Sequence, residues 1–251
     1  MKYIHSANNQ QVKQWKKLLM KKERDKTGTY LVEGFHLVEE ALKSEHVLEI
    51  IVSENTGLPP TWNYGDIPVT MITNEIMLSL SDTETPQGIL AICHSQQIAS
   101  EKVTGTKYLL IDAVQDPGNL GTMIRTADAA GVDAVIVGEG SVDAYNPKVL
   151  RSAQGSHFHL SIIRGNLTAW IEKLKEVNIP VYGTALQNAK VYTEIETSGS
   201  FALVVGNEGS GVQKAILAET TDNLYIPIYG KSESLNVGIA TGILLYYLRN
   251  E

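Results

Sequence analysis

Apolar residues recur along this chain with two different periods. Over 11–26, Val12, Trp15, Leu18 and Leu19 return at steps of three and four with lysines between them, which predicts one amphipathic helix ended by Gly28. Residues 30–32 then read as a short strand and 34–43 as a second amphipathic helix. The β-rich runs 48–53, 69–73 and 89–93 predict three more strands, with a small helix over 74–80 between the last two. A compact α/β unit therefore closes near residue 95.

The polar stretch 96–106 ends in a Gly-Thr turn and reads as a linker. Beyond it the pattern changes to longer apolar runs at 107–114, 134–138, 159–164, 180–186, 201–206 and 224–228. Helical periodicity lies between them at 119–131, 147–155, 167–178 and 212–219, and a final helix spans 235–249. Strands alternating with helices at this spacing predict a mostly parallel sheet covered on both faces, with ligands at the carboxyl ends of its strands. The expected domains are thus 1–96 and 107–251. No repeat or low-complexity tract interrupts them.

Composition narrows the class. The 251 residues are 43% hydrophobic and 20% charged, a globular balance, and the one cysteine, Cys93, allows no internal disulfide and no cysteine-pair zinc site. The longest apolar run, 237–248, is shorter than the ~20 residues of a membrane span, and the first residues lack an export signal. A cytoplasmic protein, away from the membrane, is expected. The net charge of −7 is unevenly placed: residues 1–26 hold eight basic side chains against two acids. That asymmetry points to a polyanion-facing segment on an acidic body, although a solvated helix face has the same pattern.

Three loops follow strands where α/β proteins keep their sites. In the first, Asp116-Pro117-Gly118 is turn chemistry, Asn119 stands where a helix cap is expected, and Arg125 lies on an otherwise small, apolar helix. A guanidinium near a helix start suits an anionic oxygen, although a plain strand-to-helix connection would share the turn and cap. The second loop, Gly206 to Gly211, has three glycines in six residues and one carboxylate, Glu208. The third, 226–236, carries Ser232, Ser234 and Asn236 into a helix of small residues, where Ser234 and Asn236 could serve as caps.

Nucleotide motifs fail here. Val212-Gln213 stands where a phosphate loop needs Lys and Ser/Thr, Tyr225 stands where the loop ending Gly230-Lys231-Ser232 needs glycine, and Gly138-Glu139-Gly140 meets Asp143 where the dinucleotide fingerprint needs glycine. ATP hydrolysis and NAD-linked redox chemistry lose their main support. The histidines show no metal spacing beyond His157-x-His159, expected to be a structural alternation on a strand, so no metal is expected.

Taken together, 116–137, 203–212 and 226–248 resemble the three ordered motifs of the SpoU-type RNA 2′-O-ribose methyltransferases of the SPOUT superfamily. Residues 8–42 are similar to the small L30e-like substrate-recruiting domain that many members carry first. The resemblance implies an α/β catalytic domain with a deep trefoil knot, which general chain-threading rules would have rejected. It also implies a homodimer, S-adenosylmethionine as methyl donor, and an RNA substrate, with ribosomal RNA favoured over transfer RNA.

The same resemblance implies a catalytic set of Asn119, Arg125, Glu208, Ser234 and Asn236, and cofactor contacts from the backbone at Gly206, Ile226 and Leu235. The basic first helix supplies Lys13, Lys17, Lys21, Lys22, Arg24 and Lys26 as RNA contacts. One departure stands out, because the serine that commonly follows Asn-Val in the third motif is Gly238 here. Two alternatives remain at this stage: a non-catalytic RNA- or ribosome-binding protein, and a base-directed methyltransferase of the same fold, including one acting on transfer RNA.

Overall fold

The computed structural model describes residues 2–95 and 104–249, so most of the predicted linker lies outside the described residues. The chain forms two compact units, one of 1–97 together with Tyr145–His159, the other of 98–144 together with 160–251.

In the first unit, a five-stranded sheet has the order β1-β4-β3-β5-β2. Its strands are β1 (Lys2–Ile4), β2 (Thr29–Glu33), β3 (Val47–Ser53), β4 (Val69–Ile72) and β5 (Ile89–His94). Side-chain alternation sends Leu31, Leu90 and Ile92 to one face, against Val12 and Trp15 of α1 (Gln10–Lys17) and Ile76 of α4 (Asn74–Leu80). Tyr30, Val32, Ala91 and Cys93 face the other side, under Leu37 and Val38 of α3 (Phe35–Lys43).

The helix predicted over 11–26 is two helices. Leu18, Leu19 and Met20 form a turn, and α2 (Lys21–Thr27) starts anew before ending at Gly28, whose φ of 64° is the left-handed cap that favours glycine. The break lets Arg24 point inward and donate to the carbonyl of Leu18 at 2.8 Å. No glycine or proline marks the turn in the sequence.

Residues 145–159, assigned from the sequence to the second domain, complete the first unit's core. Leu150 of α6 (Pro147–Ala153) and Phe158 pack beside Tyr30 and Val38. Arg151 pairs with Asp82 at 2.8 Å, and the carbonyl of Gln154 meets His36 Nε2 at 3.0 Å. The strand predicted from residue 159 begins two residues later, because Ser156–Phe158 is a 3-10 turn that contains His157.

The second unit carries a seven-stranded sheet of order β10-β12-β9-β11-β6-β7-β8 in which every pairing is parallel. These strands are β6 (Lys107–Ile111), β7 (Ala134–Val137), β8 (Ser161–Arg164), β9 (Val181–Thr184), β10 (Lys190–Val191), β11 (Phe201–Val205) and β12 (Asp222–Tyr225). The helices α7 (Leu167–Glu176) and α8 (Lys214–Glu219) cover one face through Trp170, Ile171 and Ile216. On the other, α5 (Pro117–Ala129) packs against α9 (Val237–Leu248), which in turn contacts β11. The chain runs outward from β6 through β7 to β8, then returns to fill the opposite side. The carboxyl ends of β6 and β11, in register at Ile111 and Val205, thus form the switch point where such sheets bind ligands. Among the described residues, no helix is long and apolar enough to cross a membrane.

Candidate active site

At the end of β6 the chain turns sharply. Asp112 is 1% exposed, and its two carboxylate oxygens accept from the backbone N–H and side-chain amide of Gln213, each at 2.7 Å. Ala113 takes a left-handed φ of 54°, a costly conformation for a residue with a Cβ. Its carbonyl accepts from Asn207 Nδ2 at 2.9 Å. The opposite end of that side chain, Asn207 Oδ1, gathers the N–H groups of Gly209 and Ser210. The loop after β11 is thereby fastened to the loop after β6. A Cβ at Gly206 would lie 2.2 Å from the carbonyl carbon of Gly211 and from the nitrogen of Val212, so only glycine lets the strand end and the returning loop approach this closely.

Glu208 sits on this platform. Its carboxylate accepts from Asn119 Nδ2 at 3.0 Å and from the backbone N–H groups of Asp116 and Gln115 at 3.1 and 3.3 Å. Partial burial pushes its pKa up, but these donors together outweigh burial and hold the carboxyl below its ordinary value. Asn119 Oδ1 in turn accepts from Asn236 Nδ2 at 2.9 Å. Asn236 Oδ1 caps α9 by accepting from Gly238 and Ile239 at 2.9 and 3.3 Å. One hydrogen-bonded chain, Glu208–Asn119–Asn236, thus links all three sequence motifs.

The cap of α5 differs from expectation. Asp116 is the N-cap, accepting from the N–H of Asn119 at 2.8 Å, and Asn119 lies inside the first turn with its side chain released to reach Glu208 and Asn236. Arg125 is exposed on α5 and makes no hydrogen bond or ion pair with any described residue. Ser234 is exposed and outside the network; among the described residues only its carbonyl is engaged, by the hydroxyl of Ser232 at 2.8 Å. Gly238 faces Thr122 of α5, where an added Cβ would lie 3.2 Å from both Thr122 Cγ2 and Asn236 Oδ1. A serine at this position would have to push the two helices apart slightly.

Ile226 and Leu235 bracket an irregular loop. Between residues 228 and 235, no backbone N–H bonds to another backbone group among the described residues, so the polar main chain there is open to a ligand. That free backbone, together with the glycine-dependent turn at Gly206, fits a cofactor held by main-chain groups. Asp112, Asn207 and Gln213 were not singled out in the sequence. Asp112 and Asn207 follow the ends of two adjacent parallel strands, and Gln213 stands just before α8, positions that carry no motif signal.

In the first unit, Lys13, Lys17, Lys21, Lys22 and Lys26 are exposed, as RNA contacts must be. Arg24 departs from that expectation: it is 6% exposed and braces the α1–α2 turn. His36, Glu39 and Glu40 come within 4.8 Å of one another, with Glu40 already paired to Lys43 at 2.8 Å and to His159 at 3.1 Å.

An all-parallel sheet with three hydrogen-bonded loops at its switch point defines an α/β protein with a ligand site at the carboxyl ends of its strands. Residues 106–246 match the SpoU rRNA Methylase family, and residues 9–91 match the MRM3-like substrate binding domain. The chain belongs to the SpoU rRNA methylase family. It is 56% identical, over 99% of its length and 100% of the relative's, to the 23S rRNA (guanosine(2553)-2′-O)-methyltransferase RlmP of Bacillus subtilis. Among solved structures it resembles the AdoMet-bound rRNA methyltransferase from Sinorhizobium meliloti, with TM-score 0.87 and 29% identity over 99% of this chain and 97% of that one. It also resembles a TrmH-family RNA methyltransferase from Porphyromonas gingivalis, with TM-score 0.84 and 33% identity over 97% and 98%.

Proposed function

We propose that this protein transfers the methyl group of S-adenosylmethionine to the ribose 2′-hydroxyl of a guanosine in 23S ribosomal RNA, the reaction named for its Bacillus subtilis relative. The observation that carries the proposal is the Glu208–Asn119–Asn236 chain, which joins the three motif loops at the switch point of the sheet. The bacterial 23S rRNA methyltransferase relative supports the cytoplasm as its place of work. The family resemblance brings with it a trefoil knot in the second unit.

S-adenosylmethionine would supply an electrophilic methyl when bound, and Gly206, Ile226 and Leu235 would hold it through their main-chain groups. Arg125 is exposed and without a partner among the described residues, and a guanidinium offers donors but no acceptor, so it is no base. Its part is to grip the phosphate beside the target ribose and orient the hydroxyl. Glu208 is no base either: its lowered pKa makes it a poor proton acceptor, and its oxygens are already occupied. Glu208, Asn119 and Asn236 fix the loops, Ser234 contributes a free hydroxyl near the substrate, and the 2′-hydroxyl proton is released to water as its oxygen takes the methyl group.

A second copy of the chain completes the assembly. The helix α9 is apolar around its whole circumference, yet Ile239 is 56% and Tyr246 47% exposed. Such a helix calls for cover, and a homodimer supplies it. Light scattering should give twice the chain mass, falling to the monomer mass in Ile239→Glu/Tyr246→Glu.

The activity is tested by incubating the protein with S-adenosylmethionine and undermethylated 23S rRNA, followed by nuclease digestion and mass spectrometry. A 2′-O-methylguanosine product is expected. A base-methylated nucleoside would replace this proposal with the base-directed alternative, and absence of cofactor binding in calorimetry would leave a non-catalytic RNA binder.

A further inference from the structure

The first unit holds a groove of about 900 Å³ between α1, α2 and the adjacent end of the five-stranded sheet. We propose that this groove takes a single-stranded segment of RNA and reads its bases by hydrogen bonding, an inference that rests on the RNA-methylating function above. Gln10, Gln14 and Lys17 line it at helical steps of four and three, so their side chains form one stripe along α1. Across from them stand Lys26 and Thr27 of α2.

What distinguishes this lining from an ordinary polar surface is which groups are already engaged. Gln11 is spent at both ends, accepting from Lys2 at 2.5 Å and donating to Glu49 at 2.9 Å. Glu49 also accepts from Thr70 at 2.7 Å, so one of the groove's two carboxylates is already satisfied by protein donors. The exposed amides of Gln10 and Gln14 and the ammonium groups of Lys17 and Lys26, by contrast, make no hydrogen bond or ion pair with any described residue. Two free amides, each both donor and acceptor, match the edges of nucleobases, and free lysines match phosphates.

The single-stranded form follows from access. In an A-form duplex the major groove is too deep and narrow for side chains and the shallow minor groove is recognised mostly by shape, so base reading by glutamines on a helix calls for an unpaired strand. Stacking is not the mode of recognition, because the aromatic residue of the lining, Trp15, is 3% exposed and belongs to the core. Hydrogen-bond reading gives base preference, whereas stacking tolerates any base. Gln10 and Gln14 therefore act as specificity residues remote in sequence from the methyl-transfer motifs.

The test is fluorescence anisotropy of the full-length protein with labelled 12-nucleotide single-stranded RNAs of each base composition and with a blunt duplex, over a range of salt. The wild type should prefer single strands and rank the four compositions. Gln10→Ala/Gln14→Ala should weaken the preferred strand about tenfold and flatten the ranking. Lys17→Ala/Lys26→Ala should weaken all strands alike and reduce the salt dependence. S-adenosylmethionine affinity and melting temperature should be unchanged in both variants, which reports an intact fold. Equal binding of duplex and single strand, or wild-type binding untouched by the glutamine pair but weakened by Lys21→Ala/Lys22→Ala, would overturn the groove and leave a basic helix surface. If the wild type binds no RNA at all, the methylation assay decides whether the RNA function itself falls; the groove falls in either case.

Discussion

Asn236 Nδ2 donates to Asn119 Oδ1 at 2.9 Å across 117 residues of sequence. The same asparagine caps α9 through its oxygen, so one side chain both starts the last helix and ties it to the first motif. The two jobs separate by mutation. Asn236→Asp keeps an oxygen cap and suits the helix dipole, but sets a carboxylate oxygen against Asn119 Oδ1. It should melt within a few degrees of the wild type and lose methylation at least tenfold. Asn236→Ala should lose activity and, in addition, about 1 kcal/mol of stability from the cap. Denaturant melts of Asn119→Ala, Asn236→Ala and the double variant should show coupling of about 0.5–3 kcal/mol, as neighbours in one network do. Additive losses would mean the bond is idle.

Arg125 offers a cleaner separation of fold from function. Exposed and without a partner among the described residues, its removal costs the fold little, within about 0.5 kcal/mol. Arg125→Ala should melt as the wild type does, bind S-adenosylmethionine with unchanged affinity in calorimetry, and lose turnover by a factor of about 100 or more. Arg125→Lys should recover only part of the activity, because an ammonium cannot hold a phosphate with two parallel hydrogen bonds. Weakened cofactor binding in Arg125→Ala would move the residue from the substrate side of the site to the cofactor side.

The network also has a pH signature. The Glu208 carboxyl lies below its ordinary value in the folded protein, because its hydrogen-bond donors outweigh burial. A group with a depressed folded pKa stabilises above its unfolded value, and that contribution is lost as pH falls through the folded value. The melting-temperature gap between wild type and Glu208→Gln should therefore be widest near about pH 7 and close toward about pH 3. A gap that stays constant with pH would show that the carboxylate charge contributes nothing to holding the loops.

Much of this was legible in the sequence, and the exceptions have physical causes. The alternating strands and helices of the second unit rest on periodicity, and all three motif loops lie at the carboxyl ends of parallel strands. Asn119, Glu208 and Asn236 do converge, but the identity of the α5 cap was misplaced because Asp116, Pro117 and Asn119 all carry cap or turn chemistry, and only the backbone decides among them. The split of α1 from α2 was hidden because its cause, a buried arginine bound to a carbonyl, leaves no composition signal. The packing of 145–159 with the first unit was hidden for a different reason. Helical periodicity reports that Val149, Leu150 and Ala153 face a core, but not which core. Short edge strands such as β1 and β10 have too few residues to alternate.

Glycine substitutions test the platform beneath the site. At Gly206, the Cβ of alanine would lie 2.2 Å from backbone atoms of Gly211 and Val212, which cannot yield as a flexible side-chain end would. Gly206→Ala must push the returning loop away from β11. That strains the Asp112–Gln213 and Asn207–Ala113 bonds and displaces Glu208 from Asn119. It should cost about 1–3 kcal/mol of stability, as overpacking against rigid surroundings does, and remove measurable methylation. Gly230 is the matched control: it lies in the third loop, its φ is not in the left-handed region, and a Cβ there would meet nothing within 4 Å. Gly230→Ala should melt within about 1 °C of the wild type. Melting curves and S-adenosylmethionine titrations of the two variants side by side provide the check, and a Gly206→Ala protein that binds cofactor normally would show that the tight turn is not what builds the pocket.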